Sequence, residues 1–129
     1  MPDAKPKVLI VEDDPFMTQL LSEELSRQGF HVILATDGEA AIAKFSAERP
    51  DVLVVDILLP LKSGLEALGE IRLLPGGDKV PAIILSNLEE QVYRAEAEKL
   101  GVKAYLVKAK TELTEVAAKV KEALGQAKD

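Results

Sequence analysis

Apolar residues along this chain fall into two alternating patterns. Unbroken apolar runs of strand length stand at Val8–Val11, Val32–Ala35, Val52–Val55, Ala82–Leu85 and Ala104–Val107. They are rich in Val, Ile and Leu and lack polar alternation, as expected of strands covered on both faces of a parallel sheet. Between them, apolar residues recur at helical spacing. Met17, Leu20, Leu21 and Leu25 share a face of the first helix, and Leu113, Val116, Ala117, Val120 and Leu124 share a face of the last. Turn and cap residues fall between the two patterns. Asp14-Pro15 reads as an N-cap followed by proline at the first helical position, and Gly29 suits the helix stop. Asp37-Gly38, Pro50, Pro60, Gly64, Pro75-Gly76-Gly77 and Gly101 divide the remaining segments. Five strand–helix pairs in strict alternation predict right-handed crossovers and an α/β doubly wound parallel sheet. No linker or repeat interrupts the pattern, so residues 1–129 read as a single domain with a core over about 7–125 and frayed ends at 1–6 and 126–129.

Composition narrows the chemistry. With 129 residues, 47% of them hydrophobic and 29% charged, the chain can bury a core and is not a disordered segment. Its apolar runs are far shorter than the roughly 20 residues of a membrane span, and no signal-peptide core stands at the N-terminus, so a cytoplasmic location is expected. The absence of cysteine excludes disulfides, thiol catalysis and thiolate metal sites, and the single histidine excludes a multi-histidine centre. That histidine, His31, starts the second strand, at the end away from the predicted site. A net charge of −6 and 4% aromatics argue against a nucleic-acid surface.

Ligands of an open parallel sheet bind outside the carboxyl ends of its strands. The first strand ends in Glu12-Asp13-Asp14, the third in Asp56, the fourth in Ser86-Asn87 and the fifth in Lys108. Thr36-Asp37, after the second, would lie to a different side in the order 2-1-3-4-5. Each residue alone has an ordinary explanation as turn, cap or surface group; their shared position at matching strand ends argues for a site. Crowded carboxylates repel unless a cation neutralises them, and an all-oxygen donor set suits Mg²⁺, or Mn²⁺, over Zn²⁺. Lys108 adds a positive charge for a phosphoryl oxygen and Ser86 a hydroxyl donor. Such a set serves phosphoryl transfer by positioning and charge neutralisation, with Asp56 as the central carboxylate nucleophile.

These residues carry a resemblance to a known family. Val8-Leu9-Ile10-Val11-Glu12-Asp13-Asp14, Val52-Leu53-Val54-Val55-Asp56-Ile57-Leu58-Leu59-Pro60, Ser63-Gly64, Ile83-Ile84-Leu85-Ser86 and Tyr105-Leu106-Val107-Lys108 resemble, in order and interval, the receiver domain of bacterial response regulators of two-component systems. The resemblance spans about residues 7–125. It implies a flavodoxin-like fold of order 2-1-3-4-5. It implies that Asp56 accepts a phosphoryl group from a phosphohistidine on a sensor histidine kinase or a phosphotransfer protein. Glu12, Asp13, Asp56 and the backbone carbonyl of Leu58 would hold Mg²⁺. Ser86 and Lys108 would bind phosphoryl oxygens. Tyr105 would change rotamer as the loop after the fourth strand moves, altering the surface of the fourth helix, fifth strand and fifth helix for a downstream protein partner. The chain would act as a phosphoacceptor and not as an ordinary enzyme, without nucleic-acid or membrane contacts of its own. If complete, it would be a stand-alone receiver.

Departures from the family pattern set further expectations. Ala109 follows Lys108 where the family usually has proline, often in a cis peptide. A cis bond to a non-proline residue costs about 3 kcal/mol, so the sequence leaves open how the chain bends there and where Lys108 points. Leu61-Lys62-Ser63-Gly64 lacks the acid that often precedes the glycine, so a capping acid is lost while the turn glycine is kept. Val102-Lys103-Ala104 lacks the acidic pair of many dimerising members, so a monomer or weak dimer is expected. Leu58 and Leu88 stand two residues beyond Asp56 and Ser86, positions that flank the path of the hydrolytic water in this family. Apolar side chains there predict slow loss of the phosphoryl group. Competing readings are a pseudo-receiver that acts as a phosphorylation-independent scaffold, an FMN-binding electron carrier and a haloalkanoate-dehalogenase-type phosphohydrolase. The flavin reading lacks a Ser/Thr/Gly-rich phosphate loop after the first strand. The hydrolase reading lacks an Asp-x-Asp signature there and has no room for a cap domain.

Overall fold

A computed structural model describes residues 4–125. The chain runs β1 (Lys7–Val11), α1 (Pro15–Arg27), β2 (His31–Ala35), α2 (Gly38–Glu48), β3 (Val52–Val55), α3 (Gly64–Ile71), β4 (Ala82–Ser86), α4 (Gln91–Lys99), β5 (Ala104–Val107), a single 3-10 turn (Lys108–Lys110) and α5 (Leu113–Ala123). The sheet is parallel throughout, in the order β2-β1-β3-β4-β5. The predicted alternation and the flavodoxin-like order are both present. Residues 4–6 form an irregular lead into β1, while residues 1–3 and 126–129, at the ends expected to fray, lie outside the described residues.

Strand periodicity sorts the core into two layers. Val8, Ile10, Val52, Val54, Ile83, Leu85 and Leu106 pack with Leu21 and Leu25 of α1 and Val116, Ala117 and Val120 of α5. The intervening Leu9, Val11, Leu53, Val55 and Ile84 face Ala41 and Phe45 of α2, Leu65 and Leu68 of α3 and Ala97 of α4. This is why the runs lack polar alternation: both faces of the inner strands are covered. Leu20, grouped by spacing with the buried face of α1, is only half-buried.

Helix boundaries follow local chemistry. Asp14 caps α1 through the Phe16 N–H (3.1 Å), with Pro15 where no amide donor is needed. Asp37 caps α2 through the Ala40 N–H (2.7 Å). With no acid before Gly64, α3 is capped by Ser63. Ser63 Oγ accepts the Glu66 N–H and Glu66 Oε1 accepts the Ser63 N–H, both at 3.1 Å, so a capping box does the work of the missing acid. Gly64 follows because a Cβ there would lie 1.8 Å from the Asp56 carbonyl oxygen. The α3 N-terminus is thereby drawn against the loop after β3, where its N–H donates to the Ile57 carbonyl (2.8 Å). Helix α3 stops at Ile71, four residues before the Pro75-Gly76-Gly77 stop expected for it. Arg72 turns inward instead, donating to the carbonyls of Leu100 and Gly77, each at 2.9 Å, and of Val80.

Candidate functional site

Register brings the strand ends level. Val11 pairs with Val55, Val55 with Ile84 and Ser86 with Val107. Glu12, Asp56 and Lys108 are each the next residue after a strand, so all three emerge at one edge. Ser86 is the last residue of β4, at the strand end where the sequence puts it.

Lys108 occupies the centre. Its Nζ lies 2.7 Å from Glu12 Oε1 and 2.8 Å from Asp56 Oδ2. Glu12 is 2% exposed and Asp56 6%, so these contacts are made largely out of water. Glu12 Oε2 accepts the Asp14 N–H (3.0 Å), and Asp56 Oδ1 accepts the Ile57 N–H (2.7 Å). The Asp56 backbone N–H donates to the Val11 carbonyl (2.9 Å), tying the loop after β3 to β1. Burial raises the Glu12 carboxyl above its ordinary value, against the Lys108 hydrogen bond and with help from the Asp56 charge. For Lys108, burial alone would lower the ammonium, but the hydrogen bonds to Asp56 and Glu12 outweigh it and the net direction is up.

Asp13 completes the acidic group. One carboxylate oxygen each from Glu12, Asp13 and Asp56 lie within 4.8 Å of one another. Three carboxylates against one ammonium leave a formal local charge of −2. Hard oxygen donors with that residual charge fit a divalent cation such as Mg²⁺. Asp13 is exposed while its two partners are buried, leaving one side of the group open to solvent.

Of the remaining predicted residues, Leu58 and Ser86 line the same depression, of about 410 Å³, with Asn87 and Leu88 beside the acids and Lys108. Ser86 is buried, and its Oγ accepts the Leu88 N–H (3.3 Å), which leaves the hydroxyl proton free to donate. Leu58 is 71% exposed at the rim. Tyr105 lies outside the depression but reaches its edge, because its hydroxyl donates to the Leu88 carbonyl (2.6 Å). The Arg94 guanidinium sits 4.6 Å from the Tyr105 ring centroid, and burial raises the phenol above its ordinary value. His31 is exposed at the opposite end of the sheet, as expected.

The bend after β5 settles where Lys108 points. No peptide bond among the described residues is cis; the 3-10 turn Lys108–Lys110 carries the chain away while the lysine reaches the acids. A contact between two loops of the site also escaped sequence reasoning. Asn87 Oδ1 accepts the Ala109 N–H at 2.9 Å, linking the loops that carry Ser86 and Lys108. The signal was present as an amide side chain next to Ser86 and a residue with an N–H at 109, but only the fold brings the two together.

Comparison with known proteins agrees with this fold. A family model described as the response regulator receiver domain matches residues 8–121. The chain belongs to the response regulator receiver family. Among relatives of this receiver, the chemotaxis protein CheY of Thermotoga maritima is 34% identical over 103 residues, covering 79% of this chain and 84% of that protein. A probable transcriptional regulator, ycf27, of Guillardia theta is 38% identical over 106 residues, covering 82% of this chain but 41% of that protein. The receiver thus spans about two fifths of the length of the transcriptional regulators it matches. Among solved structures, CheY4 of Vibrio cholerae superposes with a TM-score of 0.87 at 27% identity, covering 94% of this chain and 100% of that one. The receiver domain of a sensor histidine kinase of Pseudomonas aeruginosa superposes with a TM-score of 0.85 at 30% identity, covering 95% and 99%. That structure has a magnesium ion coordinated in its active site cleft. Receivers form a signalling family and are not conventional enzymes. Among the described residues, no helix is long and apolar enough to cross a membrane.

Proposed function

We propose that Asp56 is the phosphoacceptor of a phosphorelay. The observation that carries the reading is the Lys108 ammonium held between Glu12 and Asp56 at the open edge of the sheet. In the reaction, the phosphorus–nitrogen bond of a phosphohistidine breaks and a bond from phosphorus to an Asp56 carboxylate oxygen forms. The imidazole leaves with the electron pair of the broken bond. Lys108 pairs with one phosphoryl oxygen, and the Ser86 hydroxyl donates to another once the loop after β4 closes. The carboxylates of Glu12, Asp13 and Asp56 and the backbone carbonyl of Leu58 would hold Mg²⁺; Mn²⁺ would serve in its place. When bound, the ion supplies the charge that lets an anionic phosphoryl group approach an acidic site.

The donor is a sensor histidine kinase or phosphotransfer protein, and the chain itself catalyses transfer and slow self-dephosphorylation only. Tyr105, bonded to the Leu88 carbonyl, links the Ser86 loop to β5. Through it the surface of α4, β5 and α5 changes its affinity for a downstream protein. Residues 1–129 act as one receiver domain in the cytoplasm, as a monomer or weak dimer, without contacting nucleic acid or membrane. Acetyl phosphate with Mg²⁺ is expected to label the protein, and Asp56→Ala or a chelator to abolish labelling, as read by intact mass. Wild-type protein that takes no label from acetyl phosphate or a kinase would leave the scaffold reading in its place.

A further inference from the structure

Lys108 has a long, flexible side chain, and its ammonium must stay between two carboxylates on other strands. Its backbone therefore has to be held. Thr111 Oγ1 bonds the Val107 carbonyl (2.8 Å), but this ties the turn only to its own strand. Two contacts cross from the turn to the loop after β4. Lys110 Nζ meets Glu89 Oε1 at 3.1 Å, an exposed pair of mobile side chains that restrains little. The other is the Ala109 N–H donated to Asn87 Oδ1 (2.9 Å). Here a backbone group meets a short side chain, so few rotamers are frozen and the geometry is tight. Ala109 is the neighbour of Lys108, and Asn87 is the neighbour of Ser86. A proline at 109 could not make this bond, because it has no N–H.

We infer that Asn87 is a positioning residue for phosphoryl transfer: through the Ala109 N–H it sets the backbone at Lys108 and keeps the ammonium aimed at Asp56. It also couples Lys108 to the loop that carries Ser86. The inference rests on the phosphoacceptor role proposed above for Asp56.

The test is the labelling of the full chain by acetyl phosphate in saturating Mg²⁺, over a range of donor concentration. Asn87→Ala is expected to lower the maximal rate about tenfold, with little change in the half-saturating donor concentration. Ala109→Pro, which removes the donor, is expected to slow labelling as well. The double variant is expected to be no slower than the slower single one, since both remove the same bond. Amide exchange followed by NMR gives a second reading that does not depend on Ala109→Pro folding: the Ala109 N–H is protected in the wild type and exchanges freely in Asn87→Ala. Equal maximal rates for wild type and Asn87→Ala, or multiplicative loss in the double variant, overturn the inference while leaving the phosphoacceptor role standing. An Ala109 amide equally exchangeable in both proteins overturns it too. Wild-type protein that takes no label removes the phosphoacceptor role and this inference together.

Discussion

At the scale of single residues, the site is an electrostatic compromise. Glu12 and Asp56 are buried close together, and Lys108 is the group that makes their joint ionisation tolerable. Removing one member of such a group leaves uncompensated charge, and that loss exceeds the net worth of the ion pair itself. Lys108→Ala is therefore expected to destabilise the metal-free protein by about 2 kcal/mol, less than for a fully enclosed pair because the cluster opens to solvent at Asp13. Mg²⁺ should recover most of that loss and should stabilise the variant more than the wild type. Thermal melts with chelator and with Mg²⁺ check this; a variant that melts like the wild type in chelator would contradict it. Aspartate and lysine were legible as candidates because they interrupt apolar runs at strand ends. That the lysine bridges both acids was not legible, since it depends on side-chain reach across β1, β3 and β5.

At the scale of elements, the helices are fastened very unequally. Helix α3 has a capping box and five buried residues, whereas α4 buries only Ala97 and has no side-chain cap at Glu90. Few buried apolar contacts mean a low cost of local opening. Amides of α4 are expected to exchange with solvent faster than those of α3, by hydrogen exchange under native conditions; equal protection would contradict the ranking. This is the behaviour that the proposed switch, in which Tyr105 and the loop after β4 rearrange, would require of α4. Helix α1 is instead pinned to α5. Gln28 Nε2 donates to Glu24 Oε2 (2.9 Å) while Gln28 Oε1 accepts from Lys121 Nζ (2.6 Å). The Gln28 hydrogen bond, aided by the Arg27 charge, holds the Glu24 carboxyl below its ordinary 4.5. A lowered carboxyl contributes stability that is fully present above its unfolded value and is lost as pH falls through the folded one. Glu24→Gln should therefore flatten the loss of stability on acidification below about pH 5, as measured by denaturant titration at several pH values. Capping motifs such as Asp14-Pro15 were legible from sequence. The Ser63 and Glu66 box is not among the motifs read from sequence, although the spacing of Ser63 and Glu66 is in plain view.

At the scale of the molecule, the sheet order places the loops after β1, β3, β4 and β5 around one depression. Its acidic floor and its rim leucines act on different steps. Under the proposed function the floor would govern capture of a phosphoryl group. Leu58 and Leu88 border the space through which water would reach it, and neither can orient water by a hydrogen bond. The phosphorylated protein is expected to be long-lived, and Leu58→Asn with Leu88→Glu to shorten its lifetime about tenfold, by analogy with the 10²–10⁴-fold scale of positioned proton-transfer groups. The decay of labelled protein after removal of donor measures this; an unchanged lifetime would contradict it.

The order of apolar runs, helical stripes and caps determined by itself the layer architecture, because burial on both faces of a strand leaves a mark in composition that neighbours cannot erase. The resemblance of five short motifs to one family also pointed to Asp56, Glu12, Asp13, Ser86 and Lys108. Tertiary structure decided what those groups do to one another: the ammonium between two buried acids, the serine proton left free, the tyrosine bonded to the Leu88 carbonyl, the asparagine seated on the Ala109 N–H. The contacts of the ammonium, the tyrosine and the asparagine join residues 17 to 96 positions apart. Their strength falls steeply with distance and angle, so they exist only once parallel pairing has set the register of the strands.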